Sequence, residues 1–152
     1  EALRHDDLVL VEEFIAGEEV TVGVTGNNPP KILGVMRVVP RKKDANFVYS
    51  LEVKRDYERL VEYECPAKLD SKILRSIEGC SLKAFSILEC RDFARVDFRI
   101  SAEGTPYFLE INPLAGLNPR SSDLIIMAGL VGIKYNDLIG SILNAAIKRS
   151  RV

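Results

Sequence analysis

Two alternating stretches, "DFARVDFRI" at residues 92–100 and "TPYFLEIN" at 105–112, joined through "SAEGT", constrain this chain more than any other feature. Successive side chains of a strand point to opposite faces, so an apolar/polar period of two marks a half-buried strand. Glu-Gly between two such runs is hairpin chemistry. With Glu103 and Gly104 as a two-residue loop, Ile100 falls opposite Tyr107, Asp97 opposite Glu110, and Arg95 opposite Asn112. Arg95, Asp97, Glu110 and Asn112 then share one face, while Ala94, Val96, Phe98, Leu109 and Ile111 share the other, a core face.

Carboxylates directly opposed in a sheet repel by a few tenths to about 1 kcal/mol, so something must compensate for Asp97 beside Glu110. Two readings stay open. Arg95 and Arg99 can form a plain salt-bridge lattice, or a divalent cation can sit between the carboxylates. Asp, Glu and Asn offer hard oxygen ligands that suit Mg²⁺ (or Mn²⁺), and Mg²⁺ completes its shell with water and substrate phosphates, so the cation reading brings a nucleotide with it. In the loop that follows, Gly116 permits close backbone approach and Ser121 or Ser122 sits at a helix start, where N–H groups favour an anion. Pro, Gly and Asn are equally what any tight connection contains.

The remaining chain supplies strands first and helices later. "LVLVEEF" (8–14) and "EEVTVGVTG" (18–26) read as strands, "TGNNPP" as a turn, and "KILGVMRVV" (31–39) as the returning strand. "RKKDAN" is a charged loop, "FVYSLEVK" a short extended piece, and "LVEYECP" a strand or an extended connection ending at Pro66. At Asp70 the period changes: Ile73, Leu74, Ile77, Cys80, Ala84, Phe85 and Leu88 recur at three- and four-residue steps, giving a helix over 71–88 capped by Asp70 or Ser71. A short helix spans about 122–128, and a longer one about 136–148 presents Leu138, Ile139, Ile142, Leu143, Ala146 and Ile147 as its apolar face. The layout is α+β, an antiparallel sheet packed with helices, and 152 residues suit a single domain over 1–152.

A net charge of −1 gives no reason to expect a nucleic-acid or membrane partner, and the short basic runs at Arg41–Lys43 and Lys148–Arg151 read as solvated faces. No stretch reaches the ~18 apolar residues of a membrane helix. Cys65, Cys80 and Cys90 are odd in number and lack CxxC spacing, which argues against a disulfide framework or zinc site and for a reduced, cytoplasmic setting. A single histidine, His5, nearly excludes Ser/His/Asp or Cys/His catalysis within the chain. A start at Glu1 without Met suggests an excerpt of a longer protein.

"LVEEFIAGEEVTVGV", "EVKR" followed by "YECPAKL", "ARVDFRI" and "YFLEINPLAGLNP" occur in the order and spacing of the ATP-grasp ligases. Together they most closely resemble the C-terminal part of the D-alanine:D-alanine ligase family, over nearly the whole chain. The resemblance implies an ATP-grasp C-terminal subdomain using ATP and Mg²⁺ or Mn²⁺, with small amino acids as substrates, in cytoplasmic cell-wall (peptidoglycan) synthesis. By resemblance, Glu12, Glu13, Phe14 and Ile15 match the adenine-binding segment, Glu19 the ribose-binding acid, and Lys54 a lysine that reaches the phosphates. Asp97, Glu110 and Asn112 match the metal ligands, and Arg95 with the Gly116 amide the oxyanion-stabilising pair. Ser121 or Ser122 falls where the family binds the second amino acid's carboxylate. The implied reaction phosphorylates one carboxylate with ATP to an acyl phosphate, which the amine of the second substrate then attacks.

Two departures bear on substrate. Arg55 stands where the family commonly has tyrosine, and the loop reads Pro113-Leu114-Ala115-Gly116-Leu117-Asn118 rather than Thr-Ser-Pro-Gly-Met-Thr. Arg55 or Arg120 could select an acidic substrate or simply face outward. The family's phosphate-gripping lysines and first-substrate domain have no counterpart in these residues, so the chain alone is expected to show little activity, and a homodimer would be organised by the missing part. The alternative is a non-catalytic nucleotide-binding or assembly module.

Overall fold

The computed structural model describes residues 2–42 and 47–150. Among the described residues, five antiparallel strands form one sheet: β1 (Gly17–Thr25), β2 (Lys31–Pro40), β3 (Val61–Glu64), β4 (Phe93–Ser101) and β5 (Pro106–Asn112), in the order β3-β2-β1-β4-β5. Between β2 and β3 the described residues include α1 (Leu51–Arg55) and α2 (Tyr57–Leu60). The long helix α3 (Ser71–Ile87) precedes β4, and α4 (Asp123–Leu130) and α5 (Tyr135–Ser150) follow β5.

Strand periodicity sends the two faces of the sheet to different helices. Val20, Val22, Val24, Val35, Ala94, Val96, Phe98 and Ile100 form a buried core with Ile77 and Phe85 of α3. Asp70 caps that helix by accepting from the Lys72 amide at 2.7 Å. Cys80 and Leu88, expected on the apolar face, are exposed, and Ser81 is buried in the stripe instead, its hydroxyl donating to the Ile77 carbonyl.

The opposite face carries Glu19, Thr21 and Gly23 of β1 beside Arg99, Asp97 and Arg95 of β4, pair by pair. Here Gly23 and Gly34 are cross-strand partners and leave a depression that α4 fills. A Cβ on Gly23 would stand 2.9 Å from Met127 Sδ and 3.0 Å from Leu124 Cδ1. The depression therefore fixes how closely α4 approaches, and with it the position of Asp123 at the helix start.

Four further expectations differ from the structure. Residues 8–14 form no strand: Leu8, Leu10 and Val11 are more than 80% exposed, so the apolar run has no sheet neighbour among the described residues. The piece at 47–54 turns helical at Leu51 because Ser50 caps it, accepting from the Val53 amide. On α5 only Leu138 is buried, with Ile142 packed beside it, whereas Leu143 and Ile147 are exposed. At the hairpin, the Gly104 amide donates to the Ser101 carbonyl and the Ser101 amide to that of Thr105, with Gly104 at φ 81°. That longer turn is absorbed by a bulge: Asp97 still faces Glu110, but Phe98 faces Phe108 and Arg99 faces Tyr107. Leu109, the extra residue, is half exposed rather than in the core. The charged loop expected at 41–46 falls largely on Lys43–Asn46, outside the described residues.

Gly23→Val should lower stability by about 1–3 kcal/mol through overpacking against Met127 and Leu124, measured by urea unfolding; unchanged stability would mean α4 does not rest on this depression.

Candidate active site

The face shared by β1, β4 and β5 carries Thr21, Arg95, Asp97, Glu110 and Asn112 side by side. Thr21 Oγ1 donates to Asp97 Oδ1 at 2.9 Å. Arg95 holds the same carboxylate through Nε, at 3.0 and 3.1 Å to its two oxygens, and through Nη2 at 2.8 Å. Its third edge, Nη1, reaches Asp123 Oδ2 at 3.2 Å, and Glu110 lies 3.8 Å from Nη2. Burial by itself would lower the Arg95 pKa, but the hydrogen bonds and charges of Asp97, Asp123 and Glu110 outweigh it and hold the guanidinium above its ordinary value.

The four hairpin residues thus share one face, as their spacing requires. Asn112 Nδ2 donates to Glu110 Oε1 at 2.8 Å and to Asp97 Oδ2 at 3.4 Å, bridging the opposed carboxylates. Two carboxylates and an amide form the donor set; among the described residues no three His, Cys, Asp or Glu side chains converge as a metal cluster. The set fits a hard cation that takes the remainder of its shell from water and phosphate, provided the amide presents its oxygen, since an amide's two ends exchange by a flip.

Arg99 belongs to a different arrangement from the lattice its spacing suggests. It is 5% exposed and turns away from Glu110 to its direct cross-strand partner Glu19, at 2.6 Å. It also donates to the carbonyls of Ile15, of Phe47 at 2.5 Å and of Gly17 at 3.4 Å, and its guanidinium lies 4.7 Å from the Phe14 ring centroid. This one side chain ties the irregular segment before β1 and the segment before α1 to the sheet.

A cavity of about 340 Å³ opens beside these groups, lined by Glu12, Glu19, Lys54, Asp97 and Glu110 among the expected residues. It is also lined by Thr21, Tyr49 and Asp123, which sequence spacing does not mark as site residues, and by Leu109, expected in the core. Lys54 lies over the Tyr49 ring, 4.8 Å from its centroid. Glu13 is exposed, and Phe14 and Ile15 enter only through Arg99. Ser122 turns inward: its Oγ accepts from the Asn118 amide at 2.8 Å and would lie 2.8 Å from a Cβ on Gly116. Ser121, Arg55 and Arg120 are exposed, so neither arginine faces the cavity. A larger cavity of about 1080 Å³, between Asn27, Lys31, Arg91 and Arg149, contains none of the expected groups.

Tyrosines cover one flank. The Tyr49 hydroxyl donates to Asp123 Oδ1 at 2.9 Å and shares a short hydrogen bond with Tyr63. Burial, then the Asp123 charge, pushes the Tyr49 phenol far up, and burial, offset in part by the Tyr49 hydrogen bond, pushes Tyr63 up to about 12. Both are neutral in the fold near neutrality.

The family model for the D-ala D-ala ligase C-terminus matches residues 1–144. The chain belongs to this family. It is 35% identical to the D-alanine–D-alanine ligase of Halalkalibacterium halodurans over 98% of this chain and 48% of that relative. Against that of Syntrophotalea carbinolica the figures are 38%, 98% and 46%. Among solved structures, the D-alanine–D-alanine ligase from Bacillus anthracis complexed with ATP superimposes with a TM-score of 0.70 at 25% identity, covering 92% of this chain and 41% of that one. The ligase from Coxiella burnetii shares the fold, with a TM-score of 0.73 at 24% identity over 98% of this chain and 37% of its own. The chain spans about half the length of the curated D-alanine–D-alanine ligases it matches.

Arg99→Ala would leave the half-buried Glu19 without its cation and take a donor from three carbonyls, and should cost about 3 kcal/mol. Arg99→Lys should recover little, because an ammonium cannot span that fork; near-native stability of either variant in urea would contradict the anchoring role. Tyr63 gives a pH test. An unfolded phenol ionises near 10 and the folded one near 12, so its contribution to stability is full below pH 10 and is lost as pH rises through about 12. From about pH 8 to about pH 11, wild type should lose more unfolding free energy than Tyr63→Phe; equal losses would contradict the shift.

Proposed function

We propose that this chain forms the nucleotide- and metal-binding part of an ATP-dependent carboxylate–amine ligase joining two amino acids through an acyl phosphate. The observation that carries the reading is the convergence of Arg95, Asp97, Glu110 and Asn112 on one face, beside a cavity that also holds Glu12, Glu19 and Lys54. The family membership and the ATP-bound relative support it.

The roles follow from placement. Glu12 lines the cavity where the adenine amine would lie, with the backbone of Glu13 and Ile15 at the ring edge and Phe14 on Arg99. The Ile15 carbonyl already accepts from Arg99, so the edge falls to its amide. Both described bonds to Glu19 use Oε1, and Oε2 is the oxygen for the ribose hydroxyls. Lys54 reaches the phosphates from its place over Tyr49. Asp97, Glu110 and Asn112 would hold Mg²⁺ or Mn²⁺, which supplies charge neutralisation during phosphoryl transfer.

Arg95 and the Gly116 amide act at the second transfer, stabilising the oxyanion formed when the amine adds to the activated carboxylate. Ser121, exposed at the start of α4, is the better placed of the two serines for the second substrate's carboxylate, because Ser122 is committed to Asn118. No nucleophilic side chain is required.

Phosphate release by the full-length protein with ATP, Mg²⁺ and pairs of D- or L-amino acids tests the reading. It should require a pair of amino acids, fall to background in Asp97→Asn, and drop by about 10²–10³ in kcat for Arg95→Lys. Release independent of amino acids, or none with any pair despite nucleotide binding, would overturn it.

A further inference from the structure

Arg95 faces a conflict in the proposed reaction. Three of its four described donor contacts go to Asp97, the residue that would also bind the cation. A carboxylate that gives its lone pairs to a divalent ion accepts more weakly from a guanidinium, so Arg95 would lose its main restraint when it must be aligned. The only other described hydrogen bond of this guanidinium runs from Nη1 to Asp123 Oδ2.

Asp123 is built for that purpose. It begins α4, whose approach is set by the glycine depression, and is 5% exposed. Its second oxygen accepts from the Tyr49 hydroxyl. Tyr49 is fixed in turn through its backbone amide, which donates to Glu19 Oε1 at 3.0 Å, and through its ring beneath Lys54. A continuous path of bonds therefore runs from Glu19 through Tyr49 and Asp123 to Arg95.

We propose that Asp123, held by Tyr49, is the positioning residue that keeps Arg95 aligned once Asp97 is given over to the metal. The assignment rests on the ligase reading for its kinetic consequence but not for its physical one. Asp123 lines the cavity but is not one of the proposed metal ligands; it acts through the guanidinium. A purely packing role would require the carboxylate's shape, whereas this role requires its charge and the restraint from Tyr49.

The test uses the full-length protein as wild type, Asp123→Asn and Tyr49→Phe, with two readouts. In amino-acid-dependent phosphate release, Asp123→Asn should lower kcat about tenfold or more and Tyr49→Phe by about threefold or more, while KM for ATP changes by less than about twofold. In NMR of the Arg95 side chain, wild type should keep a slowly exchanging Nε–H and restricted guanidinium rotation after Mg²⁺ and ATP are added. Asp123→Asn should lose both only on that addition. If Asp123→Asn does not fold, Tyr49→Phe, which keeps the carboxylate, carries both measurements. Unchanged kcat, or an Arg95 signal as restrained in the variants as in wild type, overturns the proposal. If wild type releases no phosphate with any amino-acid pair, the ligase reading fails, and the NMR comparison still decides whether Asp123 restrains Arg95.

Discussion

One guanidinium stands among three carboxylates, and much of the site depends on that imbalance. Arg95 can satisfy Asp97 with two nitrogens and Asp123 with the third, but Glu110 stays 3.8 Å away and turns to the Asn112 amide. Negative charge is therefore in excess on the side of Glu110, which has only the long 3.8 Å ion pair and is exposed toward the cavity. A sheet face that needed only internal neutrality would pair its acids one to one, as Glu19 and Arg99 do. The surplus favours a cation in the cavity, and Lys54 beside it favours phosphate oxygens.

The two arginines of β4 illustrate how position separates structure from chemistry. They lie on the same face, four residues apart, and spacing alone gives them the same task. Arg99 falls where segments on both sides cover it, and it spends its donors on Glu19 and backbone carbonyls, a buried charge with its partners arranged around it. Arg95 falls beside Gly23, whose missing side chain leaves room for α4 and Asp123, and it faces only carboxylates. Fold and site meet at this point: the glycine pair that seats α4 also delivers the carboxylate that grips Arg95.

The strands and long helix were legible because their periods are local. Val20, Val22 and Val24 alternate along β1, and the Asp70 cap marks the start of α3. The opposition of Asp97 and Glu110 was also legible, although the loop assumed for it was too short; the bulge at Leu109 restored the register before the charged residues and left only the pairs near the turn displaced. The run 8–14 misled because strand-like composition does not state whether a neighbour exists to pair with it. Tyr49 and Asp123 were missed because their significance is wholly tertiary. They lie 74 residues apart, and Asp123 in sequence is merely an acid in a helix's first turn.

Mn²⁺ binding followed by its EPR signal, in the full-length protein with and without ATP, decides whether the charge surplus beside Arg95 is a metal site. Wild type should show nucleotide-dependent immobilisation of Mn²⁺ that is lost when Glu110 is replaced by Gln and kept when the distant Asp92 is replaced by Asn. Immobilisation that survives loss of Glu110, or that never depends on nucleotide, would show that the charge surplus beside Arg95 is not a metal site.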